Sequence, residues 1–293
     1  MSLNKVVIPV AGLGTRMLPA TKVIPKEMLP IIDKPIIQYV IEECIEAKFS
    51  EIILITHSSK NSIENHFDTS FELETALEKR IKKSLLKEIR SISRLKTNII
   101  SIRQSEAKGL GHAILQAKNI IGKDPFAVVL PDRVINKNKC DMKVDNLSLM
   151  RRLFLEEGND IILLEKVLKK DVGNYGIAKI RKDGNKRRFI KDIKEKPTPK
   201  NAPSNLAVVG RYIFKADILD FVDKNTKKNR EIELTDAIKK YISSGAEVQA
   251  SLLKGECFDC GSKQGYFKSI IETAINHDEF GQDFKNILKK YSS

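Results

Sequence analysis

Pro9-Val-Ala-Gly-Leu-Gly-Thr-Arg-Met-Leu-Pro-Ala-Thr-Lys-Val-Ile-Pro-Lys-Glu-Met-Leu-Pro30 is the stretch around which the rest of the chain is organised. It follows Lys5 to Val10, an apolar, β-branched run that reads as a buried strand. Gly12 and Gly14 then release the backbone into conformations that side chains forbid, and amide N–H groups exposed in such a turn cradle phosphate oxygens. Arg16 adds a planar fork for bidentate phosphate contact, and Lys22 and Lys26 add mobile point charges. Glu27 is an anion among these cations, which suits an acceptor for hydroxyl groups.

Two familiar glycine loops do not fit these letters. The dinucleotide-binding fingerprint needs a third glycine where Met17 stands, and the Walker loop needs a Gly-Lys-Ser/Thr that this stretch lacks. A lone Gly-x-Gly is more often a turn with glycines for geometry alone. The attached Thr15-Arg16 and the Pro25-to-Pro30 run, with its lysine and glutamate, reverse that preference.

At 293 residues and 41% hydrophobic, the chain has enough apolar material for one large α/β domain and is not a disordered protein. The formal net charge of +14 attracts anions without saying which. Much of the lysine is scattered, as at Lys137 to Lys143, Lys169-Lys170 and Lys227-Lys228, so a solvated surface is favoured over a nucleic-acid interface. No apolar run approaches a membrane span, and no export cleavage pattern precedes the glycine loop, so a cytoplasmic protein without membrane or nucleic-acid partners is expected. Cys257-Phe-Asp-Cys260 has Cys-x-x-Cys spacing but no second ligand pair, and is read as incidental.

Helical periodicity from Pro35 to Lys48 followed by a buried strand at Glu51 to Thr56 completes a βαβ unit, which predicts a parallel sheet with ligands at the carboxyl ends of its strands. A short helix to Phe67 and one long charged helix from Phe71 to about Arg90 are expected next. The longer one carries an apolar stripe at Leu73, Leu77, Ile81, Leu85 and Ile89, for its own domain or for a subunit contact. A third strand at Asn98 to Arg103 delivers Gln104 before Lys108-Gly-Leu-Gly-His112 opens a helix. A glutamine amide beside free backbone groups can pair with a nucleobase edge, although Gly109 and Gly111 can equally serve the loop's shape alone. The histidines read as capping or packing residues rather than catalytic ones.

Phe126 to Leu130 is a fourth strand, and Asp132 just past its tip is a natural ligand for Mg²⁺ by position, although an aspartate in a turn is ordinarily a cap. Helix Asp145 to Glu157 and strand Asp160 to Glu165 continue the alternation. Strands near Ile177 to Arg181 and Phe189 to Ile193 suggest an antiparallel cover. Glu195-Lys196 offers a hydroxyl acceptor beside a phosphate cation, or an exposed ion pair, with the reservation that adjacent strand residues point oppositely. A strand at Ala207 to Phe214, a helix at Glu233 to Ile242, a strand at Val248 to Leu253, a helix ending near Asn276 and an amphipathic helix near the C-terminus complete the chain.

Gly-x-Gly-Thr-Arg followed by Pro-Lys resembles the signature of sugar-phosphate nucleotidylyltransferases. Glu27 and the segment Asn61 to Glu74 resemble the bacterial UTP–glucose-1-phosphate uridylyltransferase branch, and matches at Tyr175-Gly176, Glu195-Lys196-Pro197, Leu234-Thr-Asp236 and Asp259-Cys-Gly261 extend the likeness over nearly the whole chain. The resemblance implies a Rossmann-like α/β nucleotidyltransferase fold over 1–293. Its central sheet would be mixed and mostly parallel, with a small antiparallel subsheet on the sugar side, a helical insertion at about 68–95 and a C-terminal helix at about 280–291. It implies Mg²⁺-dependent joining of UTP and glucose 1-phosphate to UDP-glucose and pyrophosphate, by a homo-oligomer (dimer or tetramer). Ala11, Gly12, Gly14, Arg16 and Lys26 would then hold the nucleotide phosphates, Glu27 the ribose or base, and Gln104 and Gly109 the uracil. Asp132 and Asp259 would hold the metal, Gly176, Glu195 and Lys196 would face the glucosyl phosphate, with Glu195 on the glucose hydroxyls and Lys196 on the phosphate, and Gly210 would lie near the sugar. Arg133 departs from the family pattern, which has an apolar or acidic residue there. The residues alone leave thymine or cytosine possible as the base, and leave open a non-catalytic nucleotide- or nucleic-acid-binding module.

Overall fold

The computed structural model describes residues 2–93, 95, 97–185, 187–222 and 231–291; Lys227-Lys228 lies outside them. Strand β1 (Lys5–Pro9) leads into the glycine loop, three short 3₁₀ turns and a hairpin of β2 (Pro30–Ile31) and β3 (Lys34–Pro35), which hands over to helix α1 (Ile36–Glu46). There follow β4 (Glu51–Thr56), α2 (Asn61–Phe67), α3 (Phe71–Lys79), α4 (Lys83–Ser93), β5 (Asn98–Arg103), α5 (Leu110–Gln116), α6 (Lys118–Ile121), β6 (Phe126–Val129) and β7 (Arg133–Ile135). The remainder comprises α7 (Asn146–Glu157), β8 (Asp160–Lys166), β9 (Gly176–Lys182), β10 (Arg188–Glu195), β11 (Leu206–Phe214), α8 (Leu234–Ser243), β12 (Val248–Leu252), β13 (Cys257–Asp259), α9 (Lys263–Ile275) and α10 (Gly281–Tyr291).

The nine-stranded sheet has the order β5-β4-β1-β6-β11-β8-β12-β10-β9. Its first four strands run parallel, as the βαβ reading requires. From β6 onward the sheet is mixed: β11 is antiparallel to β6 and β8, β12 is parallel to β8, and β10 is antiparallel to β12 and β9. Only β11 and β10 run against the other strands, so the sheet is mixed and mostly parallel as expected, while the β9–β10 pair is continuous with it rather than a separate cover, because β9 also pairs with β11.

Alternation along the strands explains why both faces are covered. Val6 and Ile8 of β1 pack into one core with α1 and α7, while Val7 faces the opposite core with α5 and α8; Ile52 and Leu54 against Ile53 and Ile55 repeat the split on β4. Each such side chain contributes about 1.5–3 kcal/mol by leaving water. These residues are fully buried, so the sheet is a rigid platform for the loops at the carboxyl ends of its parallel strands.

The helix expected from Phe71 to Arg90 is two helices. α3 ends at Lys79, Ile81 takes φ 55°, and α4 turns back so that Arg90 Nε donates to Glu74 Oε2 at 2.8 Å. A second finding concerns a strand that periodicity did not reveal: β7 pairs antiparallel with β13, aligning Arg133 with Asp259. Among the described residues no helix is long and apolar enough to cross a membrane, and all four cysteines are free thiols.

Candidate active site

A cleft of about 580 Å³ opens at the carboxyl ends of the parallel strands. β1 delivers Ala11, Gly12, Gly14 and Arg16 to it; the 3₁₀ turn Lys26–Met28 delivers Lys26; β5 delivers Gln104; and β6 leads to Asp132. Gly14, at φ 68°, caps the turn Thr15–Met17, and Thr21 Oγ1 donates to its carbonyl at 2.8 Å, which closes the loop on itself.

Asp132 and Lys26 form the centre of this end of the cleft. Lys26 Nζ lies 2.6 Å from Asp132 Oδ2, both side chains being largely buried. Burial alone would push the Asp132 carboxyl up, but Lys26, Arg133 and Arg16 outweigh it and hold the group below its ordinary value. Burial likewise opposes the charge on Lys26, and Asp132 with Glu27 outweighs it, so its ammonium is held above its ordinary value. Arg16 is more exposed and reaches Asp259 at 3.9 Å. The β7–β13 pairing therefore brings the second carboxylate beside the first across the fold.

Whether a metal fits can be read from Gly261. A Cβ built there would lie 2.6 Å from Asp132 Oδ2, 2.8 Å from Arg16 Nη2 and 3.2 Å from Asp259 Oδ1. Both carboxylates thus face a space that any side chain at 261 would fill. Among the described residues there is no cluster of three or more His, Cys, Asp or Glu for a metal. Two carboxylates with room for further oxygens suit Mg²⁺, which commonly takes one or two protein carboxylates and completes its shell with substrate phosphates and water.

The other end of the cleft carries Gly176, Glu195 and Lys196. Lys196 departs from extended geometry with φ 40°, and its amide donates to the Tyr175 carbonyl at 3.0 Å. That left-handed residue ends β10, so alternation does not carry past Glu195 and both side chains line one cleft, with Nζ 3.6 Å from Glu195 Oε1. Thr235 Oγ1, at the start of α8, donates to Glu195 Oε2 at 3.1 Å. Burial and the Glu195 carboxylate push the neighbouring Glu233 up to about 7. The sequence marks Glu233 to Asp236 as a helix start and Leu234-Thr-Asp236 as a family match, but neither gives Thr235 or Glu233 a role at the site. A hydroxyl there is ordinarily a cap, and nothing local distinguishes one that reaches another strand.

Gln104 and Gly109 also line the cleft. Gly109 adopts φ 98° and has no space for a side chain: a Cβ would meet Ile232 N and O at 2.8 Å each. Lys108 O and Gly111 N bond to Ile232 N and O, both at 2.8 Å, so the glycines serve close backbone approach as well as lining the site. Gln104 is 3% exposed, and its Nε2 lies 2.6 Å from His112 Nδ1.

Three expected contacts do not converge on the cleft. Glu27 is 1% exposed, sits outside the lining and pairs with buried Lys60 at 2.9 Å; a carboxylate this deep needs a cation partner, and that partner draws it away from the cleft. Gly210 also lies outside the lining. Its missing side chain accommodates Leu130, whose atoms would stand 2.8 Å from a Cβ, so it serves β11 packing. Lys22 is exposed and outside the lining too. Arg133 is 6% exposed; it pairs with Glu165 and stacks its guanidinium 5.2 Å from the Tyr175 ring centroid, which leaves Asp132 with Lys26.

A model of the nucleotidyl transferase family matches residues 5–274. The chain is 51% identical to a UTP–glucose-1-phosphate uridylyltransferase of Haemophilus influenzae, over 97% of this chain and 98% of that one. A UTP-bound UGPase from Acinetobacter baumannii superposes with a TM-score of 0.89 at 43% identity, covering 98% of this chain and 99% of that one. A UDP-glucose pyrophosphorylase complexed with UDP-glucose gives 0.79 at 40% identity, over 92% and 97% of the two chains.

Proposed function

The chain belongs to the nucleotidyl transferase family, and we infer from that membership and this cleft that it makes UDP-glucose and pyrophosphate from UTP and glucose 1-phosphate. The observation that carries the reading is the meeting of the glycine loop, Lys26, Asp132 and Asp259 at one end of a cleft whose other end holds Glu195 and Lys196.

Both reactants are anions, and the phosphate oxygen that attacks the α-phosphorus is already ionised. The protein's work is therefore alignment and charge screening, with no need for a general base. Amides of Ala11, Gly12 and Gly14 with Arg16 and Lys26 would hold the UTP phosphates, and the two cations would follow the pyrophosphate as it leaves. Gln104 and the Gly109 backbone would face the uracil. Glu195, steadied by Thr235, would accept from glucose hydroxyls beside Gly176, and Lys196 would hold the attacking phosphate in line. Asp132 and Asp259 would hold Mg²⁺, which when bound neutralises charge on the phosphates. Glu27, through its contact with Lys60, would set the position of the Lys26 turn. The whole chain would act as one nucleotidyltransferase domain in the cytoplasm, with α3 and α4 as an insertion. Exposed apolar side chains at Phe267, Phe280 and Tyr291 support a homo-oligomer.

The test is pyrophosphate release with Mg²⁺, glucose 1-phosphate and each of UTP, dTTP and CTP. UTP should be turned over well above the others. An ion pair at about 4 Å is worth roughly 4 kcal/mol at an effective dielectric near 20. Lys196→Ala is accordingly expected to lower kcat by roughly two to three orders of magnitude. A loss below about tenfold would mean that Lys196 does not hold the attacking phosphate.

A further inference from the structure

His112 does not line the cleft; it stands behind Gln104 on the first turn of α5. Its two ring nitrogens each meet a glutamine amide, Nδ1 with Gln104 Nε2 at 2.6 Å and Nε2 with Gln116 Nε2 at 3.2 Å. A neutral imidazole has one lone pair for such a contact, since its other nitrogen carries the hydrogen. Burial and the nearby Lys108 favour the neutral ring, against a weaker opposite pull from Glu106. Gln116 Nε2 also donates to the His112 carbonyl oxygen, but at 3.5 Å, so turning the amide to offer its own carbonyl to Nε2–H gives up only a long bond. With Gln104 presenting its Nε2 donor at Nδ1, the lone pair lies on Nδ1 and the hydrogen on Nε2.

We infer that His112 is a positioning residue for base selection: its Nδ1, held as an acceptor, locks the Gln104 amide in the one orientation that matches uracil and mismatches cytosine. This rests on the base-reading role proposed above for Gln104. The amide nitrogen has two hydrogens. With one given to Nδ1, the side chain presents a donor from Nε2 and an acceptor at Oε1. Uracil offers the complement, an acceptor at O4 beside the N3–H donor. Cytosine offers the reverse, a donor at N4 beside the N3 acceptor. Reading cytosine would require the amide to rotate and set Oε1 against the Nδ1 lone pair. The backbone cannot relieve that conflict by shifting, because the Gln104 amide N–H is tied to the Thr56 carbonyl at 2.8 Å. A polar site of this kind discriminates strongly because the wrong partner leaves buried groups unpaired.

The experiment measures kcat/KM for UTP and for CTP, with glucose 1-phosphate, in the unaltered protein and in four variants. His112→Phe keeps a ring but removes the acceptor, and should lower the UTP-to-CTP ratio by about tenfold or more, chiefly through a raised KM for UTP. His112→Asn places an amide oxygen near the position of Nδ1 and should retain the ratio. His112→Gln reaches toward the Nε2 position instead and should lose it, so the Asn and Gln pair carries the test should the Phe variant not fold. Gln104→Ala should abolish the preference. A ratio unchanged in His112→Phe or His112→Gln, with the preference lost in Gln104→Ala, would overturn the role of His112 alone. A ratio unchanged in Gln104→Ala would overturn the base-reading role of Gln104, and the inference with it.

Discussion

At the scale of single residues, the site depends on what is missing as much as on what is present. Gly261 keeps open the space between Asp132 and Asp259, and Asp132 cannot retreat from an added methyl because Lys26 holds its Oδ2 at 2.6 Å. Gly261→Ala is therefore expected to weaken Mg²⁺ binding by roughly tenfold to a hundredfold, the range seen when groups supporting a metal's ligands are disturbed. Titrating Mg²⁺ into the protein with UTP present, against a protein-free UTP control, reads this without turnover. An unchanged titration would take the carboxylate pair out of metal binding. Gly261 was legible as part of Asp-Cys-Gly, but its role was not, because a glycine's use as empty space depends on what surrounds it. Lys196 teaches the same point from the other side: period-two alternation would point it away from Glu195, and φ 40° turns it back.

Elements were mostly legible, since buried strands and amphipathic helices announce themselves in their apolar spacing. The exception is the break between α3 and α4. The stripe from Leu73 to Ile89 continues without a glycine or proline, so nothing local marks a turn at Ile81. The turn is set by tertiary contact, with Arg90 bonded to Glu74 and also paired with Glu78. Ile81, 76% exposed at φ 55°, gains little packing to offset a left-handed backbone. That conformation costs a branched residue roughly 1–2 kcal/mol, and glycine's own chain-entropy penalty of about 0.5–1 kcal/mol is smaller. Ile81→Gly should thus raise stability by about 0.5–1 kcal/mol in urea unfolding. A clear loss would mean that the Ile81 side chain has a contact worth more than the strain.

On the scale of the whole molecule, one buried ion pair ties the helix layer to the strands behind the site. Arg211 of β11, fully buried, meets Glu43 of α1 through Nε at 2.9 Å and Nη2 at 2.5 Å. The same guanidinium donates to the carbonyls of Leu130 and Arg133 at 3.3 and 2.6 Å, which bracket Asp132. Removing the anion strands a charge in the core, so Glu43→Ala is expected to cost about 3–5 kcal/mol. Equilibrium urea denaturation measures the change, and a loss under about 1 kcal/mol would mean that water replaces the carboxylate. Sequence patterns mark Arg211 only as a charge within an apolar strand, and its partner is 168 positions away.

By itself the sequence determined the glycine loop and its cations, the alternation of strands and helices, and the arrival of Gln104 and Asp132 at strand ends. Those are local matters, decided by side-chain period, backbone freedom and charge within a few residues. Tertiary structure alone decided which of these groups share a cleft. The pairing of β7 with β13 set Asp259 beside Asp132, burial beside Lys60 withdrew Glu27, packing against Leu130 withdrew Gly210, and contact with His112 oriented Gln104. The physical reason is that a side chain's direction at the end of an element is fixed by the partner it meets there. That partner comes from distant chain, brought near by burial and hydrogen bonding rather than by spacing.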